Sequence, residues 1–168
     1  MDRQQDLTTL EVLSVAIKSE VEAVKLYMRM KELAKSSDLA GKLDFLISQE
    51  QRHQAILTEA YMKKFPEIDL KLPPKSLVPI IEEVLAREAT LKDLFDAAMQ
   101  AEKMSETFYR DLAGKTRDSN SKSLLEYLAS MEQTHFSILE TEYRQLEIGA
   151  EYNSDDFLRG ERLMNLGP

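Results

Sequence analysis

EQRH at residues 50–53 and EQTH at residues 132–135 are two Glu-x-x-His motifs that lie 82 residues apart. Each motif follows another glutamate, Glu20 or Glu102, by 30 residues. Because an α-helix turns by about 100° per residue, the Glu and the His of each motif project from neighbouring positions on one helix face. The chain has two histidines, and both belong to these motifs. The spacing predicts that six polar side chains converge on one place in a helical protein.

Apolar residues recur at steps of three and four around each of the four glutamates, which is the spacing of the core-facing stripe of a helix. Glu20, for example, lies in the same stripe as Ile17 and Val24. The periodicity predicts an all-α fold, an antiparallel four-helix bundle. We place its helices near residues 9–35, 38–64, 91–115 and 120–147.

The two halves of the chain align when the sequence is shifted by 82 residues. The aligned pairs are Thr8 with Thr90, Ala16 with Ala98, Tyr27 with Tyr109, Ser37 with Ser119, Leu46 with Leu128, Gln51 with Gln133, Leu57 with Leu139 and Tyr61 with Tyr143. The halves therefore resemble two copies of one helical hairpin. Thr8, Thr90, Ser37 and Ser119 are the predicted N-caps of the four helices.

A proline-rich segment, residues 65–89, separates the two predicted hairpins. Its four prolines break any continuous helix, although a short one is expected at Ile80–Arg87. A segment of this length can run along a whole helix as a crossover. We predict a four-helix bundle domain at residues 1–150 and a C-terminal tail at residues 151–168. The tail's apolar residues would cap the bundle or contact another subunit: Phe157, Leu158, Leu163 and Met164.

Composition excludes several classes of function. The net charge of −8 argues against nucleic acid or an anionic membrane surface as a partner, because both would repel the chain. The absence of cysteine excludes a disulfide, a thiolate ligand and a thiol nucleophile. No apolar run approaches the roughly 18 residues of a membrane span, and the first nine residues are polar. A cytoplasmic protein is expected.

Four carboxylates inside a core are very costly unless something compensates their charge. Two dications would neutralise them, and mixed carboxylate and imidazole ligation favours iron or manganese. The set of two glutamates and two Glu-x-x-His motifs matches the ligands of di-iron carboxylate bundles. We predict Glu20, Glu50 and His53 at one metal and Glu102, Glu132 and His135 at the other. Glu50 and Glu132 are the expected bridges.

Three further residues are candidates for supporting roles. Tyr27 and Tyr109 lie seven residues after Glu20 and Glu102, so their hydroxyl groups could hydrogen-bond ligand carboxylates, or the rings could simply fill the core. Glu106 lies in the core-facing stripe where the first repeat has Val24. It could be an extra ligand, a proton relay or an acid paired with a nearby Lys or Arg.

At these residues the chain resembles the ferritin-like superfamily, and most closely its rubrerythrin-like branch, over about residues 8–147. The resemblance implies a di-iron centre that reacts with peroxide or dioxygen. Rubrerythrins also carry a rubredoxin-like domain whose cysteines bind a separate iron, and 168 residues without cysteine cannot form it. The resemblance therefore implies an external electron donor such as a rubredoxin. The family usually has a carboxylate at the position of His135 and an additional glutamate three residues after Glu102, whereas Glu106 lies four residues after Glu102.

The leading functional hypothesis is a non-haem di-iron oxidoreductase that reduces hydrogen peroxide or dioxygen as a homo-oligomer, at least a dimer. One alternative is a ferritin-type ferroxidase that stores iron inside a large closed shell. The other alternative is a metal-free structural or interaction bundle.

Overall fold

The computed structural model describes the backbone of residues 9–164 and the side chains of residues 9–149. Five helices make up the described part of the chain, which contains no strand: α1 (Thr9–Leu33), α2 (Ser37–Lys64), α3 (Pro79–Leu85), α4 (Leu91–Lys115) and α5 (Ser119–Met164). The predicted all-α, ferritin-like bundle is confirmed. Within the described residues, no helix combines the length and apolar character that a membrane span requires.

The four long helices form two hairpins that face each other. α1 packs most extensively on α2, and α4 on α5, while the hairpins meet through α1 with α4 and α2 with α5. Tyr27 contacts Glu102 whereas Tyr109 contacts Glu20, so α1 and α4 run in opposite directions. Lys42 likewise pairs with Glu142 while His53 meets Glu132, and α2 and α5 are therefore antiparallel as well.

Polar caps fix where the helices begin. Thr90 caps α4 in a reciprocal capping box with Asp93, as its sequence position predicted. At α2 the cap is Ser36, one residue before the predicted Ser37, and its hydroxyl accepts a hydrogen bond from the Leu39 amide. Before α5 the Asp118 carboxylate accepts from the Ser121 amide, so Ser119 is the first helical residue rather than the cap. Thr8 lies outside the described residues.

The crossover carries α3, which begins at a proline and ends two residues before the predicted Arg87. Its buried Ile81 and Val84 pack in the same apolar cluster as α1 and α4. The crossover is further tied to α1 because the Ser19 hydroxyl accepts a hydrogen bond from the Leu77 amide. This short helix covers the seam between the two hairpins.

The last helix is longer than predicted. α5 continues to Met164, whereas the sequence placed its end near residue 147. Gly149 does not stop it, because no described glycine has a positive φ and a glycine within a helix costs only about 1 kcal/mol. The side chains of the predicted tail lie outside the described set, so its suggested contacts stay predictions.

The apolar core is divided in two. One buried cluster surrounds Leu26, Leu43 and Phe95, and the other surrounds Ile17, Leu57 and Leu128. The two clusters lie on either side of the level at which the core-facing stripes carry glutamate and histidine. The polar level is therefore sealed by hydrocarbon above and below.

Candidate metal centre

The six motif residues converge between the two apolar clusters. Each long helix contributes to the site: α1 gives Glu20, α2 gives Glu50 and His53, α4 gives Glu102, and α5 gives Glu132 and His135. None of the six is more than 3% exposed. Because Glu20 and Glu102 precede their motifs by the same interval, the two antiparallel hairpins bring all six to one height. This convergence is what the spacing predicted.

The six side chains form two overlapping groups. Potential ligand atoms of Glu20, Glu50, His53 and Glu132 lie within 4.8 Å of one another, and the same holds for Glu50, Glu102, Glu132 and His135. Glu50 and Glu132 belong to both groups, so their carboxylates lie between two potential ion positions. The sharing is the arrangement expected of bridging carboxylates.

Both imidazoles turn Nδ1 towards the carboxylates. His53 Nδ1 lies 3.1 Å from Glu50 Oε2 and 3.2 Å from Glu132 Oε1. His135 Nδ1 lies 2.8 Å from Glu50 Oε1, 3.4 Å from Glu132 Oε2 and 3.6 Å from Glu102 Oε2. Ligands held about 2.1 Å from one ion in octahedral geometry are about 3.0 Å from their neighbours. The spacing of these atoms therefore fits ions held among them.

Several buried atoms of the site have no hydrogen-bond partner within the described protein. They are Glu50 Oε1, His53 Nε2, Glu102 Oε2, Glu132 Oε1, His135 Nδ1 and His135 Nε2. Buried polar atoms are normally paired, and one that is not costs about 1–3 kcal/mol. Four of the six belong to the carboxylates or to the Nδ1 that faces them. Metal coordination would satisfy these four, so the residues present fit a pair of cations.

In the protein without metal, protons take the place of the cations. Burial, reinforced by the charge of Glu132, raises the pKa of the Glu20 carboxyl well above 4.5, and the Glu102 carboxyl is raised for the same reasons. Burial alone would lower the pKa of His53, but its contacts with Glu132, Glu20 and Glu50 raise it to about 12. Burial also opposes ionisation of Glu50, yet His135 and His53 lower its pKa to about 2. The protonated imidazoles thus offset the charge of the ionised carboxylates, and the protonated Glu20 and Glu102 add no charge.

The two tyrosines hydrogen-bond crosswise. The Tyr27 hydroxyl on α1 donates to Glu102 on α4, and the Tyr109 hydroxyl on α4 donates to Glu20 on α1. Each tyrosine therefore orients the glutamate of the opposite hairpin rather than the one on its own helix. Burial, with the nearby carboxylates, raises the pKa of both phenols well above 10, so both keep their protons. Their hydroxyls are the predicted contacts to ligand carboxylates.

Glu106 does not join the site. It belongs to neither ligand group, and its carboxylate accepts hydrogen bonds from Arg110 Nε at 2.9 Å and Lys103 Nζ at 3.1 Å. Although partial burial opposes ionisation, Arg110 and Lys103 lower the pKa of Glu106. The ion pair was one of the three roles considered from the sequence, and it is the one that this geometry favours. The other two would require a carboxylate that faces the ligands.

One contact of the site was not anticipated. The ring of Tyr127 on α5 meets the edge of the His53 ring, with centroids 6.4 Å apart and planes at 82°. A shift of 82 residues places Tyr127 on Phe45, and most aligned pairs outside the six-residue cluster differ in the same way, so the sequence carried no specific signal for this contact.

A four-helix bundle whose core holds a paired carboxylate and imidazole cluster is the arrangement of di-iron carboxylate proteins. The family model of rubrerythrin matches residues 11–143, which is most of the bundle. The chain belongs to the rubrerythrin family, whose members bind di-iron centres. The predicted resemblance is thereby confirmed.

Two solved structures share the fold. A hypothetical protein from Pyrococcus furiosus is 32% identical, with a TM-score of 0.76 over 86% of this chain and 93% of that chain. CopM in its Cu(I)-bound form is 10% identical, with a TM-score of 0.67 over 84% of this chain and 99% of that chain, which shows the fold alone. No curated protein matches the chain significantly.

The pKa shifts predict how the metal-free protein responds to pH. Glu20, Glu102, His53 and His135 all have raised pKa values, so the folded state holds more protons than the unfolded state above pH 4.5. The free energy of unfolding should therefore fall as the pH rises from about 5 to about 9, by about 1 kcal/mol or more. Urea unfolding of the chelator-treated protein measures this change.

The control for that measurement is the metal-loaded protein. Metal ligands must lose their protons, so metal binding tightens as the pH rises and should cancel or reverse the trend. A metal-free protein whose stability increases steadily from pH 5 to pH 9 would contradict the shifts described above.

Proposed function

We propose that the protein is a di-iron oxidoreductase that reduces hydrogen peroxide or dioxygen with electrons from an external donor such as a rubredoxin. The observation that carries the proposal is the pair of overlapping four-residue groups that share Glu50 and Glu132. Its membership of the rubrerythrin family supports the choice of iron. The predicted dimer and the cytoplasmic location stay predictions.

The donor set assigns each residue a place. Glu20 and His53 would hold one ion, Glu102 and His135 the other, and Glu50 and Glu132 would lie between them. Four carboxylates balance two dications, and the oxygen and imidazole donors suit iron or manganese. When bound, the metal pair supplies the reversible two-electron chemistry that cleaves an O–O bond.

The protein's own contribution is exclusion of water and control of protons. The apolar clusters on both sides of the ligands keep bulk water from the site, which strengthens every charge interaction inside it. Reducing one peroxide molecule to two water molecules consumes two protons as well as two electrons. Tyr27 and Tyr109 donate hydrogen bonds to Glu102 and Glu20, so each hairpin orients one carboxylate of the opposite hairpin, and the hydroxyls would relay protons that solvent replaces.

The two alternatives are less well supported. A metal-free bundle would leave six carboxylate and imidazole atoms of the site buried without a hydrogen-bond partner, at a cost of about 1–3 kcal/mol for each atom. Ferritin-type storage needs the same ligands together with a large closed assembly that accumulates oxidised iron. Iron uptake distinguishes storage from peroxide reduction.

The ligand assignment predicts the result of an anaerobic Fe(II) titration. The wild-type protein should saturate at two irons per chain. Glu50→Ala and His135→Ala each remove a donor from the cluster, so both should abolish two-iron binding and lower peroxide turnover by at least roughly 100-fold. Near-ultraviolet absorbance and iron analysis measure both effects. Gln51→Ala, an exposed neighbour of Glu50, is the matched control and should bind two irons.

If both ligand variants bind and turn over as the wild type does, the assignment is wrong.

Pulses of oxidant then separate the two iron-dependent functions. A peroxide-reducing enzyme should oxidise its two irons on each pulse, return to the ferrous state when a reductant is added, and take up no third iron. Continued Fe(II) uptake after oxidation, with a native mass of a large shell, would indicate storage instead. The measurements are iron per chain after repeated pulses and native mass spectrometry.

The crosswise tyrosines predict a milder defect. Tyr27→Phe and Tyr109→Phe keep the ring and remove the hydroxyl, so two-iron binding should persist while peroxide turnover falls roughly 10- to 100-fold. Tyr61→Phe is the control, because Tyr61 is equally buried but its hydroxyl donates to the Asp69 carbonyl, outside the site. Turnover in Tyr27→Phe equal to that of Tyr61→Phe would show that the hydroxyl contributes nothing.

A further inference from the structure

An external donor must reduce the oxidised form of the proposed site, yet the ligands of the site are buried. All six are at most 3% exposed, and Tyr27 and Tyr109 are 1% exposed. A donor protein therefore cannot touch a ligand directly. Electrons have to cross at least one layer of side chains, and electron tunnelling favours the shortest path through packed atoms.

A line of three rings spans that layer. The rings of His53 and His135 stack with centroids 5.4 Å apart and planes at 20°. Tyr127 continues the line, since its ring meets the edge of His53 and it is 38% exposed. In the part of the chain that the structure describes, Tyr127 is the one aromatic residue outside the site whose ring contacts either imidazole ring. The line leads from the surface to both halves of the ligand set.

The symmetric position at the other end of the α2–α5 face lacks this line. Phe45 on α2 is the repeat's equivalent of Tyr127 and is 47% exposed. By symmetry it would meet His135, but no ring contact joins these two among the described residues. The two halves match at all six ligands and differ at this position. The ring contact is therefore a property of one end of the α2–α5 face.

We infer that Tyr127 is the surface end of the electron route into the site, so that electrons enter between α2 and α5 through this ring. The inference rests on the proposed function. The donor delivers one electron at a time: two donor molecules are each oxidised by one electron, and the oxidised site gains the two electrons. Tyr127 acts through His53 and touches neither oxidant nor metal, so it is a positioning residue for electron transfer.

The test isolates the reduction step. The iron-loaded protein is oxidised with ferricyanide, freed of excess oxidant, and mixed anaerobically with reduced methyl viologen, a one-electron donor. Decay of the near-ultraviolet ferric absorbance gives the reduction rate. Tyr127→Leu removes the ring and should slow reduction roughly 10-fold or more, the scale on which outer partners of metal ligands act. Tyr127→Phe keeps the ring and should restore the rate to within about twofold of the wild type.

Phe45→Leu is the matched control, because it removes an exposed aromatic ring at the symmetric position and should leave the reduction rate unchanged. Iron stoichiometry, the thermal midpoint of the metal-free protein and the rate of oxidation by peroxide should be unchanged in all three variants. A purely structural role of Tyr127 would alter those properties together with the reduction rate, which would overturn the inference.

Reduction of Tyr127→Leu at the wild-type rate, or an equal loss in Phe45→Leu, would also overturn it. Because ferricyanide prepares the ferric state, the comparison holds even if peroxide is not the oxidant. Failure to reduce both peroxide and dioxygen would contradict the proposed function and leave the electron route standing. Failure to bind iron would overturn both.

Discussion

The burial of four carboxyl groups and two imidazoles at one level of the bundle is the constraint on which the rest of the structure depends. Each buried ion retains a penalty of several kcal/mol, so such a cluster persists only when opposite charge compensates it. Protons on Glu20, Glu102 and the imidazoles can do this without metal, and two dications can do it with all four carboxylates ionised. The core of the fold thus holds a cluster of acidic groups whose negative charge must be neutralised by protons or by two cations.

The register of the helices follows from that constraint. A cluster of six residues on four helices requires each hairpin to deliver its glutamate and its Glu-x-x-His motif at the same height. The equal 30-residue intervals from Glu20 to Glu50 and from Glu102 to Glu132 achieve this once the hairpins are antiparallel. The crossover then has to run the length of the bundle, and α3 uses that run to cover α1 and α4. Two apolar clusters complete the enclosure above and below.

The sequence predicted the four long helices and the convergence of the six side chains because period and repeat act over many residues. The sequence was less successful where a single contact determines a helix end or the direction of a side chain. Ser36 rather than Ser37 caps α2, since the two serines are adjacent and only backbone geometry separates them. The sequence placed the end of α5 near residue 147, but the backbone stays helical to Met164. Periodicity placed Glu106 on the core-facing stripe, but it could not show that Arg110 and Lys103 hold the carboxylate away from the ligands.

The repeat is most informative where it fails. Selection for two equivalent ions would keep the halves alike at the ligands and at Tyr27 and Tyr109, which is where they agree. Most other aligned positions differ, and two of the differences lie beside the cluster: Tyr127 stands opposite Phe45, and Glu106 opposite Val24. A symmetric pair of ions has no need of two electron routes, because the stacked imidazoles join both halves of the site. One exposed ring can therefore serve both ions, and its counterpart is free to lose the contact.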